Sequence, residues 1–217
     1  TSSGSNPASA IIGPLTTTVV VTDGEERAAL AVVRSLGRAG ARVTVLSRRR
    51  ASLAGASRFC HRALCAPDAL TSPGDFAAFV AGIVREDGIR VVLPIAEPAL
   101  LALLPERERL SPAVIPFPPL EVFRRLSDKA ALLEAAPKYG IAVPQQIRVH
   151  SLEELDARRL DLRFPLVAKP ARSVGESQGK RGRLGVSHIA DAAARDALIP
   201  GLPEQAFPLL LQQRIVG

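Results

Sequence analysis

Apolar and polar positions alternate between two periods along this chain, and the changes of period mark its elements. Residues 17–22 (TTVVVT) form a β-branched run closed by Asp23-Gly24, which predicts a buried strand. Residues 25–39 place Ala29, Leu30, Val32, Val33 and Leu36 at helical spacing, and Gly40 stops that helix. Residues 42–46 (RVTVL) return to strand character. A strand, a helix and a strand in so short a stretch predict a right-handed βαβ unit with parallel strands. The pattern continues with a weaker strand at 62–66 and a helix over 73–87, which sets Phe76, Phe79, Val80, Ile83 and Val84 on one face. A buried strand at 89–95 (IRVVLPI) and a helix over 97–104 follow, with Pro98 in the first turn, where its missing N–H costs nothing. A last short strand is expected at 114–116. This alternation predicts an α/β fold with a doubly wound parallel sheet.

Beyond the prolines of residues 116–119 (PFPP), which read as a linker, the pattern loosens. A short helix is expected over 120–126. Ser127-Asp128 caps another over 129–139, closed by Gly140. A strand is expected at 146–149, and Ser151 with Glu154 three residues on opens one more helix. Residues 164–170 (FPLVAKP) are an apolar strand with a single lysine, Lys169, near its end. The stretch 171–185 (ARSVGESQGKRGRLG) carries four glycines, and strand character resumes at 184–187. A flexible loop with free N–H groups can fold over phosphates, and a lysine beside it supplies a compact positive charge. No GxxxxGK[ST] leads into a helix, so this is no Walker A loop. Taken singly, each feature has a plain reading too: a snorkelling surface lysine, a hairpin, a helix cap.

In the first domain, ligands would sit at the carboxyl ends of the strands. The first such end, Thr22 to Arg27, is acidic and lacks GxGxxG, so it does not suit a pyrophosphate. Arg48, Arg49 and Arg50 after the second strand suit either a solvated loop or, for an NADP-linked enzyme, a 2′-phosphate. Glu97 also lies at a strand end. It reads either as a carboxylate favouring a helix N-terminus or as a substrate contact in the cleft below a second domain.

Composition narrows the choices. The 217 residues are 47% hydrophobic but only 4% aromatic, so the core is aliphatic. No apolar stretch approaches a bilayer span, so no membrane partner is expected. The net charge of +7 is mostly arginine scattered among acids, and the run Arg48–Arg49–Arg50 has no aromatic neighbours, which argues against a nucleic-acid face. Cys60 and Cys65 are too few for a disulfide framework or a zinc site and read as small apolar residues in or beside a strand, with a cytoplasmic setting the default. The chain has no Met, and residues 1–16, rich in Ser, Thr, Gly and Pro, read as a disordered leader without the features of a signal peptide.

In order and spacing these features resemble the ATP-grasp superfamily over nearly the whole chain. The resemblance implies a Rossmann-like pre-ATP-grasp domain over 17–117 and, over 118–217, the truncated first part of an α+β ATP-grasp domain. Asp128-Lys129 matches the helix start that carries the first nucleotide lysine. The strand of residues 165–170 carries the second, Lys169. The glycine-rich stretch, with Gly179, Gly182 and Gly185, would close over the phosphates. Residues 210–217 (LLQQRIVG) match the strand that leads to the adenine hinge, placing Gln213, Arg214 and Val216 near the base, with Gln213 where glutamate is commoner. The residues 94–97 (PIAE) match the cleft edge of the pre-domain, with Glu97 toward substrate. What the resemblance implies is ATP-dependent ligation of a small carboxylate through an acylphosphate, as in carboxylate–amine ligases and carbamoyl-phosphate-synthase-like enzymes. Mg2+ would accompany ATP, held by ligands expected downstream of this chain, so the chain alone is expected to be inactive. A homodimer through the first domain is an expectation of the resemblance alone. The rival readings are a non-catalytic nucleotide-binding or interaction domain and an NADP-linked Rossmann enzyme.

Overall fold

The computed structural model describes residues 17–157, 163–177 and 180–215. The chain divides into two compact units, Thr1–Pro116 and Phe117–Gly217.

The first unit is built on four parallel strands: β1 (Thr18–Val21), β2 (Arg42–Ser47), β3 (Cys60–Cys65) and β4 (Val91–Leu93), in the order β3-β2-β1-β4. Strand alternation sends Val19, Val21, Val43 and Val45 to one face, where they bury against Ala29 and Val33 of α1 (Arg27–Arg38). It leaves Val20, Leu46 and Val92 for the other face, and these are also fully buried. A sheet covered on both sides accounts for the near-continuous apolar runs. Helix α2 (Pro73–Glu86) buries Phe76, Val80, Ile83 and Val84, and α3 (Glu97–Leu103) follows β4 directly. The fourth strand is shorter than its apolar run because Pro94 has no N–H to continue the ladder. The stretch expected as a final strand contributes one isolated parallel bridge, Val91 to Val114. Strand β3 begins two residues earlier than its pattern suggests. It holds both cysteines, of which Cys65 is exposed rather than packed away.

The second unit opens with α4 (Leu120–Ser127) and α5 (Lys129–Ala135). The carboxylate of Asp128 accepts from the N–H groups of Ala130 (3.0 Å) and Ala131 (3.1 Å), which satisfies two of the donors that a helix start leaves open. The helix expected over 129–139 tightens into a 3-10 turn at Ala136–Tyr139, which contains Pro137, and Gly140 closes it at φ 75°. A four-stranded sheet follows, made of β5 (Gln146–Val149), β6 (Leu166–Pro170), β9 (Ser187–Ile189) and β10 (Leu209–Gln213) in the order β5-β10-β6-β9, with every pairing antiparallel. Helices α6 (Leu152–Ala157) and α7 (Ala192–Leu198) complete the unit; α7 was not foreseen from the pattern. The core is Val149, Leu155, Leu166, Ala168, Ile189, Leu209 and Leu211, all on one face of the sheet. Within the glycine-rich stretch, β7 (Val174–Ser177) and β8 (Lys180–Arg183) pair as antiparallel strands, and residues 184–186 are not strand.

Candidate functional site

Side-chain alternation on β6 decides which residues can meet. Leu166, Ala168 and Pro170 face the core, so Val167 and Lys169 take the opposite face. On that face Val167 lies opposite Gln212 of β10 and His188 of β9, while Lys169 lies opposite Leu210. A cavity of about 290 Å3 opens there, lined by Val167, Lys169, Val186, His188, Gln212 and the turn Gln213–Ile215. Lys169 is half-buried, and among the described residues its ammonium has no hydrogen-bond or ion-pair partner. The cavity therefore combines one cationic group with apolar walls.

Lys129 is held on the same face. Leu210 packs with Ala130 and Ala171, which docks the start of α5 over the strand next to Lys169. The Lys129 N–H donates to Ala171 O (2.9 Å), and its Nζ donates to Ser173 Oγ (2.9 Å). Lys129 does not line the cavity itself; it is tied to the segment that joins β6 to the hairpin.

The two glutamines differ in a way the sequence did not reveal. Gln213 pairs with Leu166 and so belongs to the core-facing row, at the end of the strand. Its N–H donates to Gln145 O (2.9 Å), and Arg214 N–H donates to Pro165 O (3.0 Å), so both residues reach the cavity from a pinned backbone. Gln212 belongs to the Lys169 row. It is 3% exposed and donates from Nε2 to Gln146 Oε1 (2.8 Å). Gln212 and His188 are the residues that sequence reasoning missed, and strand parity read from an assigned register would have found them.

The glycines divide. Gly182 lies in β8 opposite Gly175, and a Cβ on it would meet nothing within 4 Å. Gly185 lines a different cavity, of about 240 Å3, with Ala168, Pro170 and Leu209 of the opposite sheet face. The hairpin needs glycine at Gly175, where a Cβ would lie 2.7 Å from Gln205 Cγ and 2.9 Å from its Cβ. Arg181 is tied across the hairpin to Glu176 (3.1 Å), and one buried guanidinium nitrogen, Nη1, has no partner among the described residues. Gly179 and Val216 lie outside the described residues.

In the first unit, strand order reverses between β1 and β4, and the crevice at their carboxyl ends is where such sheets take ligands. Glu97 is there, half-buried in the first turn of α3. The turn before it is organised by Asp23, at φ 56°, whose carboxylate accepts from the Ile95 N–H (3.2 Å), the Ala96 N–H (2.9 Å) and the Thr22 hydroxyl. Burial pushes the Asp23 carboxyl above its ordinary value of 3.8, against the pull of those hydrogen bonds. Arg48 is engaged by Glu25 (3.9 Å) and Asp68 (3.4 Å), so its charge is partly spent within the unit.

No helix among the described residues is long and apolar enough to cross a membrane. No described group of three His, Cys, Asp or Glu residues is placed to hold a metal ion.

No protein-family model and no curated protein matches the chain. Solved structures do. An L-amino acid ligase from Bacillus licheniformis matches with a TM-score of 0.66 at 18% identity, over 93% of this chain and 45% of that one. An N5-carboxyaminoimidazole synthetase from Staphylococcus aureus, complexed with ADP, matches with a TM-score of 0.62 at 15% identity, over 92% and 47%. A 2-oxoglutarate carboxylase biotin carboxylase domain from Hydrogenobacter thermophilus, in complex with MgADP, ADP and bicarbonate, matches with a TM-score of 0.57 at 15% identity, over 92% and 44%. The chain spans about half the length of the solved structures it matches. The likeness is one of fold: a Rossmann-like parallel-sheet unit followed by an α+β unit.

Proposed function

We propose that this chain is the ATP-binding N-terminal portion of an ATP-grasp ligase. The observation that carries the reading is Lys169, a cation without a partner among the described residues, in a cavity whose other polar edge is Gln212 and the pinned turn at Gln213–Arg214. The lining, apolar at Val167 and Val186 and cationic at Lys169, suits a purine with its phosphates running toward lysine.

In this reading the apolar walls, Val167 and Val186, sandwich the base, and the Gln213–Arg214 turn with Gln212 supplies its polar contacts. Lys169 and Lys129 neutralise phosphate charge, Lys129 being oriented by Ser173. The hairpin, with Gly182 and the residues around Gly179 and Gly185, excludes water from the phosphates. ATP supplies the phosphoryl group that turns a carboxylate into an acylphosphate, open to attack by an amine or a similar nucleophile. Glu97 is the proposed contact to the small carboxylate substrate. No Mg2+ ligand is assigned on this chain, because its described acidic residues do not converge as a metal site.

Calorimetric titration of the chain with ATP, ADP and NADPH tests the reading. Saturable binding of the adenine nucleotides, weakened at least tenfold by Lys169→Ala, is expected. Preference for NADPH would replace the reading with a nicotinamide enzyme. Binding of no nucleotide would leave only an interaction domain.

A further inference from the structure

A second polar cavity lies in the first unit, at the edge of the sheet opposite Glu97. It holds about 270 Å3 and is lined by Thr18, Arg42, Thr44, His61, Arg62 and Asp87, with Ile89 beside them. Thr18 and Arg42 are the first residues of β1 and β2, so the cavity opens at the amino ends of the parallel strands. The carboxyl ends carry the crevice already described.

We propose that this cavity is a binding site for a small phosphate-bearing anion, separate from the nucleotide cavity of the second unit. Three observations support it. The register between β2 and β3 slips after Val43, so that Val43 pairs with Cys60 and Thr44 with Arg62. His61 is the extra residue of this bulge, a device that re-aims side chains on edge strands. It stands beside Arg42, whose Nη2 donates to His61 Nε2 at 2.8 Å.

Charge is the second observation. Arg62 is matched by Asp87 at 2.6 Å, but among the described residues Arg42 has no carboxylate partner. Two arginines against one aspartate leave the cavity positive, and a guanidinium offers five donors, of which His61 takes one. The third is Thr44. It lines the cavity, is 4% exposed, and its hydroxyl has no hydrogen-bond partner among the described residues. The hydroxyl is not sealed from solvent, so it is open to donate to an anion in the cavity.

These donors come from two strands and from different directions. That arrangement suits a tetrahedral oxyanion with three or more acceptors better than a planar carboxylate with two. The volume admits a phosphate or a small phosphomonoester.

The test is two-dimensional amide NMR of the full chain titrated with inorganic phosphate, glycerol phosphate and acetate at matched ionic strength. Saturable shifts at Thr44, His61 and Arg62 are expected with the two phosphates, with acetate at least tenfold weaker. Arg42→Gln is expected to weaken phosphate at least tenfold and Thr44→Val several-fold, while Lys169→Ala leaves these shifts in place. Arg42→Lys, which keeps the charge and loses the fork, serves in the same role if the glutamine variant does not fold. Absence of saturable shifts at these residues, equal response to acetate, or indifference to the Arg42 substitutions overturns the proposal.

Discussion

The carboxylate of Asp23, at the end of β1, accepts the Ala96 N–H at 2.9 Å and so fixes the turn that carries Glu97 into α3. Two strand ends on either side of the point where strand order reverses are thereby joined by one side chain. Asp23→Ala strands the Ala96 N–H, removes one of the two acceptors shared by the Ile95 N–H, which keeps the Thr22 hydroxyl, and leaves an alanine at φ 56°. A loss of about 1–3 kcal/mol in denaturant unfolding is expected. Asp23→Asn, which keeps an acceptor and tolerates positive φ, should lose less.

The same carboxyl gives a pH dependence. Its folded pKa is raised above 3.8, chiefly by burial. The folded chain then holds this proton to higher pH than the unfolded chain. Its contribution to stability is complete below 3.8 and declines as pH rises through the raised value. The stability difference between the native chain and Asp23→Asn should therefore fall as pH rises over that window. A difference that is flat or grows would contradict the assignment.

Gln212 and Gln213 are adjacent but should behave differently. Gln212→Ala breaks a buried side-chain hydrogen bond with Gln146, and a cost of about 1–3 kcal/mol is expected together with weaker ATP binding. Gln213 lines the cavity from the end of the strand with its backbone already engaged, so Gln213→Ala should change stability by less than about 0.5 kcal/mol. Thermal melts with paired ATP titrations distinguish them.

Ser173 is predicted to act through Lys129. Ser173→Ala removes the partner of the ammonium without touching the Asp128 cap. ATP affinity should fall several-fold while the melting temperature barely moves. Asp128→Ala, by contrast, should cost about 1 kcal/mol of stability by removing the cap.

In the hairpin, Gly175→Ala forces a methyl to within 2.7–2.9 Å of the Gln205 side chain near its root, where little movement is available. A loss of about 1–3 kcal/mol is expected. Gly182→Ala meets nothing within 4 Å and should be nearly neutral for stability, so weaker ATP binding by this variant would support its proposed place over the phosphates. Unfolding curves and titrations of the two variants check this.

Much of the first unit was legible because periodicity is a local property. The TTVVVT and RVTVL runs could be little else than buried parallel strands, and the Ala29–Val33 spacing had to cover one face of them. The Asp128 cap was equally local, since a carboxylate before a helix has few other uses. Lys129, Lys169 and Gln213 could be named because their order along the chain follows a known pattern. What sequence order could not supply was register. Whether Gln212 or Gln213 shares a face with Lys169 depends on which residue of β6 lies opposite which residue of β10, and a shift of one residue exchanges the faces. The bulge that turns His61 toward Arg42 is a mismatch between two strands and exists in neither alone. The Asp23 carboxylate reaches N–H groups more than seventy residues away, and its acidity is set by burial that only the packed sheet creates. Local pattern was enough to name most of the strands and helices, though not α7, and to show which residues carry charge. The tertiary structure decided which of those charges stand together, because pairing across strands and exclusion of water are properties of the assembled sheet.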